Sequence, residues 1–346
     1  MTFIKPKRLK KGDKVATMSP SWGGPSVYPY IYENGLKYLS EQLKFEIVEY
    51  PTARMSADKI YHHPELRAKD INDAFANKDI KAIITSIGGS DSVRILEYLK
   101  EEVIVNNPKI LLGYSDTATL TTLLNSWGLV TFNGSSIMAG FSQASCFPKS
   151  WHEGIRTLLM GDSSNYIYPK FDTFSNGYPD WGNKNNTGLI KESIKSPPYS
   201  WLQGKEAIEG VLFGGCIEVL EFLKGTKYWP TKDFWTGKIL FFETSEDVPT
   251  ISNIEYMLRN YGIQGIFDQI NGVVFGRARD YTDELNQKLR ESVLKIIKGE
   301  FGRNDLLVVT DLDFGHTDPQ WILPLGIKVQ FDPANRKIEL LESATQ

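Results

Sequence analysis

Short apolar runs alternate with amphipathic stretches through the first half of the chain. Apolar runs predict buried β-strands at residues 14–19, 45–49, 81–87, 109–114 and 129–132. Apolar positions at helical spacing predict helices between them, at residues 30–42, 64–76, 92–99 and 118–127. This alternation is typical of a doubly wound α/β domain whose parallel sheet is covered on both faces.

The pattern changes beyond about residue 165. A polar stretch rich in Gly, Pro and Asn, from about residue 165 to 204, predicts a boundary. Further on, helices are expected at 216–223, 252–261 and 282–298, and strands at 239–243, 272–276, 306–310, 327–331 and 337–341. A chain of 346 residues is long enough for two cores. We therefore expect an N-terminal domain (1–165), a linker or substrate loop (166–204) and a smaller C-terminal α/β domain (205–346).

The strand predicted at 109–114 is followed by a Gly-x-Ser turn and then by a helix. In the sequence Gly113-Tyr114-Ser115-Asp116, the serine stands where a sharp strand-to-helix bend would lift its oxygen clear of the sheet. A helix N-terminus also favours developing negative charge. Ser, Asp and Thr are good N-caps as well, so ordinary helix capping is the alternative interpretation of Ser115.

A serine nucleophile needs a base, and the chain has four histidines. His62 and His63 precede a charged helix, and His152 stands in a helix without polar neighbours. His316 differs, because it lies in the Gly-His turn that follows the strand predicted at 306–310, and loops that leave strands often carry functional groups. The alternative is a turn histidine held by a neighbouring aspartate, Asp313 or Asp318.

A triad also needs a carboxylate that orients the imidazole and stabilises its charged form. Glu243 directly continues the apolar run Ile239-Leu240-Phe241-Phe242, at the strand end where ligands meet open α/β sheets. Glu246 and Asp247 are alternatives in the polar loop beyond, where a solvated position is expected. A charge that continues an apolar strand is costly unless it is paired, which favours Glu243.

Together these motifs resemble the LD-carboxypeptidase family of serine peptidases, which includes the microcin C immunity peptidases. Gly113-Tyr114-Ser115-Asp116 resembles the family's nucleophile motif, Phe242-Glu243 its acid and Gly315-His316 its base. The resemblance covers nearly the whole chain. The ordinary α/β-hydrolase elbow has glycine two residues after the serine, whereas this chain has Thr117 there.

The resemblance implies further site residues. Gly88-Gly89-Ser90 resembles the glycine-rich oxyanion loop, with the backbone N–H groups of Gly89 and Asp116 as the expected oxyanion donors. Gly215 and Cys216 resemble the glycine pair and the following residue that open the second domain. The substrate-binding residues expected on this basis are Gly88, Ser90, Gly215 and Cys216. Arg277, which follows a predicted strand, is a candidate for binding an anionic group or else an exposed surface arginine.

The glycine-rich loop and an aromatic segment favour the immunity-peptidase branch of the family. The cell-wall branch tends to carry an Arg-Gly-Gly-Tyr-type loop, whereas this chain has Ile87-Gly88-Gly89-Ser90. The segment 171–201 carries Trp181 and other aromatic residues and resembles the loop with which immunity peptidases stack a nucleotide base. An aromatic surface linker is the alternative interpretation of this segment.

Within the family, the expected substrate is a peptidyl aminoacyl-nucleotide, and the alternative is a muropeptide of cell-wall recycling. The resemblance also implies a homodimer.

Composition and charge narrow the classes of function. The net charge is −3, and the basic start is too short to indicate nucleic-acid binding. The start also lacks the apolar core of a signal peptide, and no run of about eighteen apolar residues predicts a membrane span, so we expect a cytoplasmic enzyme.

Cys146 and Cys216 lack paired spacing, so both are expected to be buried and reduced. Neither a metal nor a cofactor is expected, because the histidines lack partners at ligand spacing.

Two other classes of function remain open. A two-lobed α/β binding protein would keep the cleft but would not require Ser115, Glu243 and His316 together. A glutamine-amidotransferase-like enzyme would need a cysteine on the elbow, where this chain has Ser115.

Overall fold

The computed structural model describes residues 2–346, which form two large β-sheets with helices packed on them and one two-stranded sheet at residues 173–174 and 194–195. The strands are β1 (Lys14–Met18), β2 (Glu46–Glu49), β3 (Ile80–Thr85), β4 (Ile110–Gly113), β5 (Thr131–Asn133), β6 (Thr173–Phe174), β7 (Ile194–Lys195), β8 (Ser200–Gln203), β9 (Ile208–Cys216), β10 (Lys238–Glu243), β11 (Gly272–Gly276), β12 (Leu307–Leu312), β13 (Leu323–Leu325), β14 (Lys328–Asp332) and β15 (Lys337–Leu340).

The α-helices are α1 (Gly24–Val27), α2 (Pro29–Glu41), α3 (Ala57–His62), α4 (Pro64–Ala76), α5 (Glu101–Val105), α6 (Ala118–Ser126), α7 (Lys149–Met160), α8 (Ile217–Glu221), α9 (Ile251–Ile263) and α10 (Asp283–Leu294). A π-helical turn, Lys295–Glu300, continues α10. Short 3-10 helices span Ser92–Tyr98, Ser115–Thr117, Phe141–Cys146, Lys184–Asn186 and Lys232–Trp235. No helix within residues 2–346 combines the length and apolarity needed to cross a membrane.

The first sheet has the strand order β13-β5-β4-β3-β1-β2. The pairs from β5 to β2 are all parallel, as expected for a doubly wound domain. Strand β4 consists of four buried residues, because a central parallel strand is covered on both faces. The carboxyl ends of β3, β4 and β5 therefore meet at one edge of the sheet, where a site can form.

The second sheet has the order β15-β14-β9-β10-β11-β12-β8. Its centre, β9 to β12, is parallel, and antiparallel strands flank it on both sides. This mixed, strand-rich sheet confirms the expected second α/β domain.

Two features join the sheets, and the sequence analysis missed both. Strand β13 belongs to the predicted C-terminal domain by position, yet it pairs antiparallel with β5 of the first sheet. Residues 166–204 form more than a linker, because β8 adds an edge strand to the second sheet and Ser175 bridges to Asp318. The segment that follows His316 is therefore fixed to both sheets.

A glycine of the second sheet packs against the first helical residue after the Ser115 turn. Gly215 on β9 has φ +156°, and a Cβ built there would lie 2.8 Å from Cβ of Ala118, the first residue of α6. Real Cβ contacts are essentially never that short, so glycine is required for this packing.

We predict that Gly215→Ala lowers the free energy of unfolding by about 1–3 kcal/mol, because the added methyl group overpacks the contact with Ala118. Thermal unfolding measures this, and Gly299→Ala is the matched control, since a Cβ there meets no atom within 4 Å. Adding Ala118→Gly to Gly215→Ala should restore part of the loss. Equal melting temperatures for wild type and Gly215→Ala would contradict the assigned contact.

Candidate active site

Ser115 occupies a strained bend directly after β4. Its φ is +59°, a left-handed conformation that is uncommon for a residue other than glycine. The 3-10 turn Ser115–Thr117 then leads into α6. Backbone strain of this kind is retained where the surroundings fix it, and here it presents the Ser115 hydroxyl at the sheet edge.

His316 lies between the candidate nucleophile and the candidate acid. Its Nε2 is 3.0 Å from Ser115 Oγ, and its Nδ1 is 3.1 Å from Glu243 Oε2. Gly315, at φ +100°, makes the close approach possible, because a Cβ there would lie 2.8 Å from Glu243 Cβ. The three residues singled out from the sequence thus lie in one hydrogen-bonded row that crosses the boundary between the sheets.

Glu243 is fully buried at the end of β10, where it has two hydrogen-bonding partners. One oxygen faces His316, and the other accepts a hydrogen bond from Nδ2 of Asn133 at 3.5 Å. Asn133 ends β5 of the first sheet, so a residue of one sheet helps to hold the acid of the other. The sequence analysis missed Asn133, although its place directly after a predicted strand is a signal that would have found it.

Glu246, an alternative acid that was expected to be solvated, also contacts His316. Its Oε2 lies 3.1 Å from Nε2, the same ring nitrogen that faces Ser115. The hydrogen bond from His316 lowers the pKa of Glu246 to about 2. Asp247, the other alternative acid, is exposed.

The charged surroundings of His316 favour its protonated form. Burial of the ring by itself lowers the pKa of His316, but the carboxylates of Glu243 and Glu246 more than offset this effect. The net result is a pKa raised from the ordinary value to about 10.

The glycine-rich loop lies against the candidate nucleophile. A Cβ at Gly88 would lie 2.8 Å from Ser115 Cβ and 3.2 Å from the backbone nitrogen of Asp116. The N–H of Gly89 makes no hydrogen bond to any residue in the described range 2–346. The backbone nitrogen of Asp116 therefore lies close to Ser115, and Gly89 follows Gly88 in the same loop.

The Asp116 carboxylate holds the loops around this site in place. Its Oδ2 accepts hydrogen bonds from Ser21 Oγ and from the backbone N–H groups of Asp91 and Ser92, at 2.5, 3.1 and 2.8 Å. Asp91 in turn pairs with the fully buried Arg67. Asp116 was predicted to act through its backbone, and its side chain adds a link between the nucleophile turn and the glycine-rich loop.

A cleft of about 350 Å³ opens above Ser115 and His316. Five tryptophan and tyrosine side chains line it, and Trp181 packs face to face on Tyr178, with ring centroids 5.2 Å apart. Glu246 and Arg279 are the charged residues of the lining besides His316, among the residues that the structure describes. The five are Trp22, Tyr28, Tyr114, Tyr178 and Trp181.

Several predicted substrate-binding residues lie elsewhere. Arg277 is neither exposed nor in the cleft, because its side chain is 3% exposed and pairs with Asp313, the first residue after β12. Gly215 packs on Ala118, and Cys216 is buried with its sulfur 3.5 Å from Glu218 Oε2. Ser90 is exposed and lies outside the residues that line the cleft.

The other histidines and cysteines do not join the site. His152 Nδ1 is 2.7 Å from the Tyr38 hydroxyl, and His62 and His63 are exposed. Cys146 is exposed, contrary to the expectation that both cysteines are buried. Within residues 2–346, no group of three or more His, Cys, Asp or Glu side chains is placed to hold a metal ion.

Comparison with known proteins identifies the family of the chain. Residues 15–134 match the LD-carboxypeptidase N-terminal domain, and residues 209–331 match the LD-carboxypeptidase C-terminal domain. The chain therefore belongs to the LD-carboxypeptidase family of serine peptidases.

Individual relatives cover most of the chain. The microcin C7 self-immunity protein MccF of Escherichia coli is 30% identical over 280 residues, which are 80% of this chain and 78% of that protein. A Bacillus subtilis protein named "Probable murein peptide carboxypeptidase" is 25% identical over 336 residues, 96% of this chain and 92% of that protein. The crystal structure of an MccF-like protein from Streptococcus pneumoniae in complex with AMP superimposes with a TM-score of 0.84 at 28% identity, covering 95% of this chain and 98% of that one.

We predict that Asp116→Ala lowers turnover by about ten- to a hundredfold, because the loop that carries Gly89 loses its anchor. Steady-state kinetics with a peptide amide measure this. Asp70→Ala is the matched control. Asp70 is also a buried carboxylate that accepts a hydrogen bond from a backbone N–H, that of Thr52, but it lies outside the cleft. The control should lose stability without a comparable loss of turnover. Equal losses of turnover in the two variants would refute the positioning role of Asp116.

Proposed function

We propose that this protein hydrolyses an amide bond, with Ser115 as nucleophile, His316 as general base and Glu243 as the carboxylate that orients His316. The observation that carries the proposal is the row of hydrogen bonds from Ser115 Oγ through both ring nitrogens to Glu243 Oε2, 3.0 and 3.1 Å long. With Nδ1 donating to the carboxylate, an unprotonated Nε2 can accept the serine proton.

The proposed reaction has two halves. Nε2 of His316 takes the proton of Ser115, whose oxygen bonds to the amide carbon while the backbone N–H groups of Gly89 and Asp116 bind the oxyanion. His316 then gives the proton to the amide nitrogen, the C–N bond breaks and the amine leaves. In the second half, His316 takes a proton from water, the hydroxide bonds to the acyl carbon, and the bond to Ser115 breaks as the serine regains its proton.

The cleft favours a substrate that carries a nucleotide. Aromatic faces stack on nucleobases, and Trp181 and Tyr178 form a stacked pair on the wall of the cleft. Arg279 offers a positive charge for a phosphate or carboxylate group. The relatives support this class, because one is a microcin C7 immunity protein and another was solved with AMP. We therefore propose a peptidyl aminoacyl-nucleotide as the substrate, and a homodimer as the assembly.

A muropeptide is the second candidate substrate. The similarity to the Bacillus subtilis protein extends over 96% of this chain and supports this candidate. The same triad would cleave either substrate, so the residues that line the cleft determine which of the two substrates is bound.

We predict that Ser115→Ala lowers amide hydrolysis by about 10⁴-fold or more, because the nucleophile is lost while the fold remains. Ser90→Ala, a change in an exposed serine of the neighbouring loop, should leave the rate nearly unchanged. Kinetics and thermal unfolding of both variants measure this. A folded Ser115→Ala protein that keeps its turnover, or a wild-type protein that binds peptides without cleaving them, would exclude the serine-peptidase mechanism.

We also predict that Trp181→Ala slows cleavage of a peptidyl aminoacyl-nucleotide by about ten- to a hundredfold, because a stacking surface for the base is lost. Cleavage of a small peptide amide should change little. Trp201 lies in the same segment but packs on Phe331, which makes Trp201→Ala the matched control for loss of stability. If Trp181→Ala affects both substrates equally, Trp181 has a packing role only, and the muropeptide becomes the better candidate.

A further inference from the structure

A cavity of about 460 Å³ lies at the edge of the first sheet opposite Ser115. Strands β4, β3 and β1 are neighbours and run parallel, so their amino ends meet at this edge, whereas Ser115 follows the carboxyl end of β4. Lys109 stands directly before β4, and Ile80 and Lys81 begin β3. The cavity is therefore separate from the cleft above Ser115 and His316.

Positive charge dominates the walls of this cavity. Among the residues that the structure describes, six cationic side chains line it and one acidic side chain, that of Asp13. The Asp13 carboxylate is already engaged, because its Oδ2 accepts the backbone N–H of Lys10 at 2.7 Å. Gln346 also lines the cavity, and the cations outnumber the acids even if a main-chain carboxylate is counted there. The six cations are Lys7, Arg8, Lys10, Lys78, Lys81 and Lys109.

The positive charges of this basic cavity are not compensated. Among residues 2–346, none of its six cations has a carboxylate side chain within salt-bridge distance. Neighbouring lysines do have such partners, since Lys5 pairs with Glu342, and Lys14 with Glu46 and Asp79. Like charges that line one cavity raise the local positive potential, and an anion bound there would be stabilised by it.

Lys109 is the buried member of this set. The residue is 9% exposed. Within residues 2–346, its Nζ has one hydrogen-bond partner, the main-chain oxygen of Asn77 at 2.9 Å. An ammonium group has three N–H donors, so two of them can bind a ligand in the cavity. Burial and the charge of Lys81 lower the pKa of Lys109 to about 8, which shows how poorly its charge is balanced without an anion.

We propose that the basic cavity binds a small polyphosphate, an anion with at least two linked phosphate groups, and that the Lys109 ammonium donates to it. The proposal is independent of the proposed hydrolase function. The volume of the cavity lies in the range of small-molecule sites, which favours a discrete ligand over a nucleic-acid strand or a membrane surface.

The kind and placement of the cations favour phosphate over carboxylate. Five of the six are lysines, whose ammonium groups act as point charges toward phosphate oxygens, whereas the planar fork of arginine is the better match for a carboxylate. The cations also come from three separate segments, at residues 7–10, 78–81 and 109. A chain of tetrahedral phosphates presents oxygens in all directions and can contact all three.

Calorimetric titration of the intact protein with tripolyphosphate tests this proposal. The wild type should bind one equivalent, and Lys109→Met, which keeps a long apolar side chain without its charge, should bind about ten- to a hundredfold more weakly, the range for hydrogen bonds to charged groups. Lys238→Met is the matched control and should bind like the wild type, because Lys238 is also buried with a pKa lowered to about 8 but lies outside the cavity. No saturable binding by the wild type, or equal binding by Lys109→Met, would overturn the proposal.

Exposed residues provide a test that does not depend on the folding of Lys109→Met. Lys81 is exposed, so Lys81→Ala should fold and bind tripolyphosphate about two- to fivefold more weakly. Lys205→Ala, a change in an exposed lysine outside the cavity, should bind like the wild type. Arg279→Ala should do so too, because Arg279 lines the cleft above Ser115. Weaker binding in Arg279→Ala with no loss in Lys81→Ala would place the anion in the cleft and refute the assignment.

Two further ligands define the chemical class. Citrate carries carboxylates in place of phosphates, and it should bind more weakly than tripolyphosphate; equal or tighter binding of citrate would overturn the assignment to phosphate. ATP carries three phosphates on a nucleoside and distinguishes two sources of the same chemistry. Binding of ATP as tight as that of tripolyphosphate would support a nucleotide as the ligand, and weaker binding would support an inorganic polyphosphate.

Discussion

The whole site depends on the fixed docking of the two sheets, because neither sheet contains it alone. Ser115 and Asn133 lie at the carboxyl ends of strands of the first sheet, whereas Glu243 ends β10 and His316 lies beyond β12 in the second. The contacts between the sheets include Gly215 against Ala118, and β13, which crosses over to pair with β5. A strand that begins seven residues after His316 is thus anchored in the sheet that carries Ser115. Small relative displacements would separate Ser115 from His316, and a shift of about 1 Å can already be costly in catalysis.

The chemistry of the site depends on how three acidic residues, Glu243, Glu246 and Asp318, affect the imidazole of His316. Glu243 is buried and has two hydrogen-bonding partners, so it fixes the His316 ring on the Nδ1 side. Glu246 contacts the ring at Nε2, the same nitrogen that faces Ser115. Burial raises the pKa of a third acid, Asp318, to about 6, which reduces its negative charge in mildly acidic solution. The position of each carboxylate thus decides which nitrogen of the His316 ring it contacts.

The sequence predicts the elements and the row of reacting groups well, for identifiable reasons. Helix α4 spans the predicted residues 64–76, because Pro64 marks its first turn and the apolar spacing is regular. Ser115, Glu243 and His316 lie at or shortly after the carboxyl ends of strands, where parallel sheets collect functional groups. Strand β13 was missed because it is three residues long with a central proline, a poor strand signal. The partner of Arg277 was missed because a contact between distant segments leaves no local pattern in the sequence.

The central claim is that Ser115 forms the acyl bond after activation by His316. A fluorophosphonate, which bonds to activated serine hydroxyls, tests this most directly when the inactivated protein is digested and its adduct located by mass spectrometry. The account predicts one adduct, on Ser115, formed more slowly in the presence of substrate and much more slowly in His316→Ala. Inactivation with the adduct on another residue, or modification of Ser115 at an equal rate in His316→Ala, would contradict it.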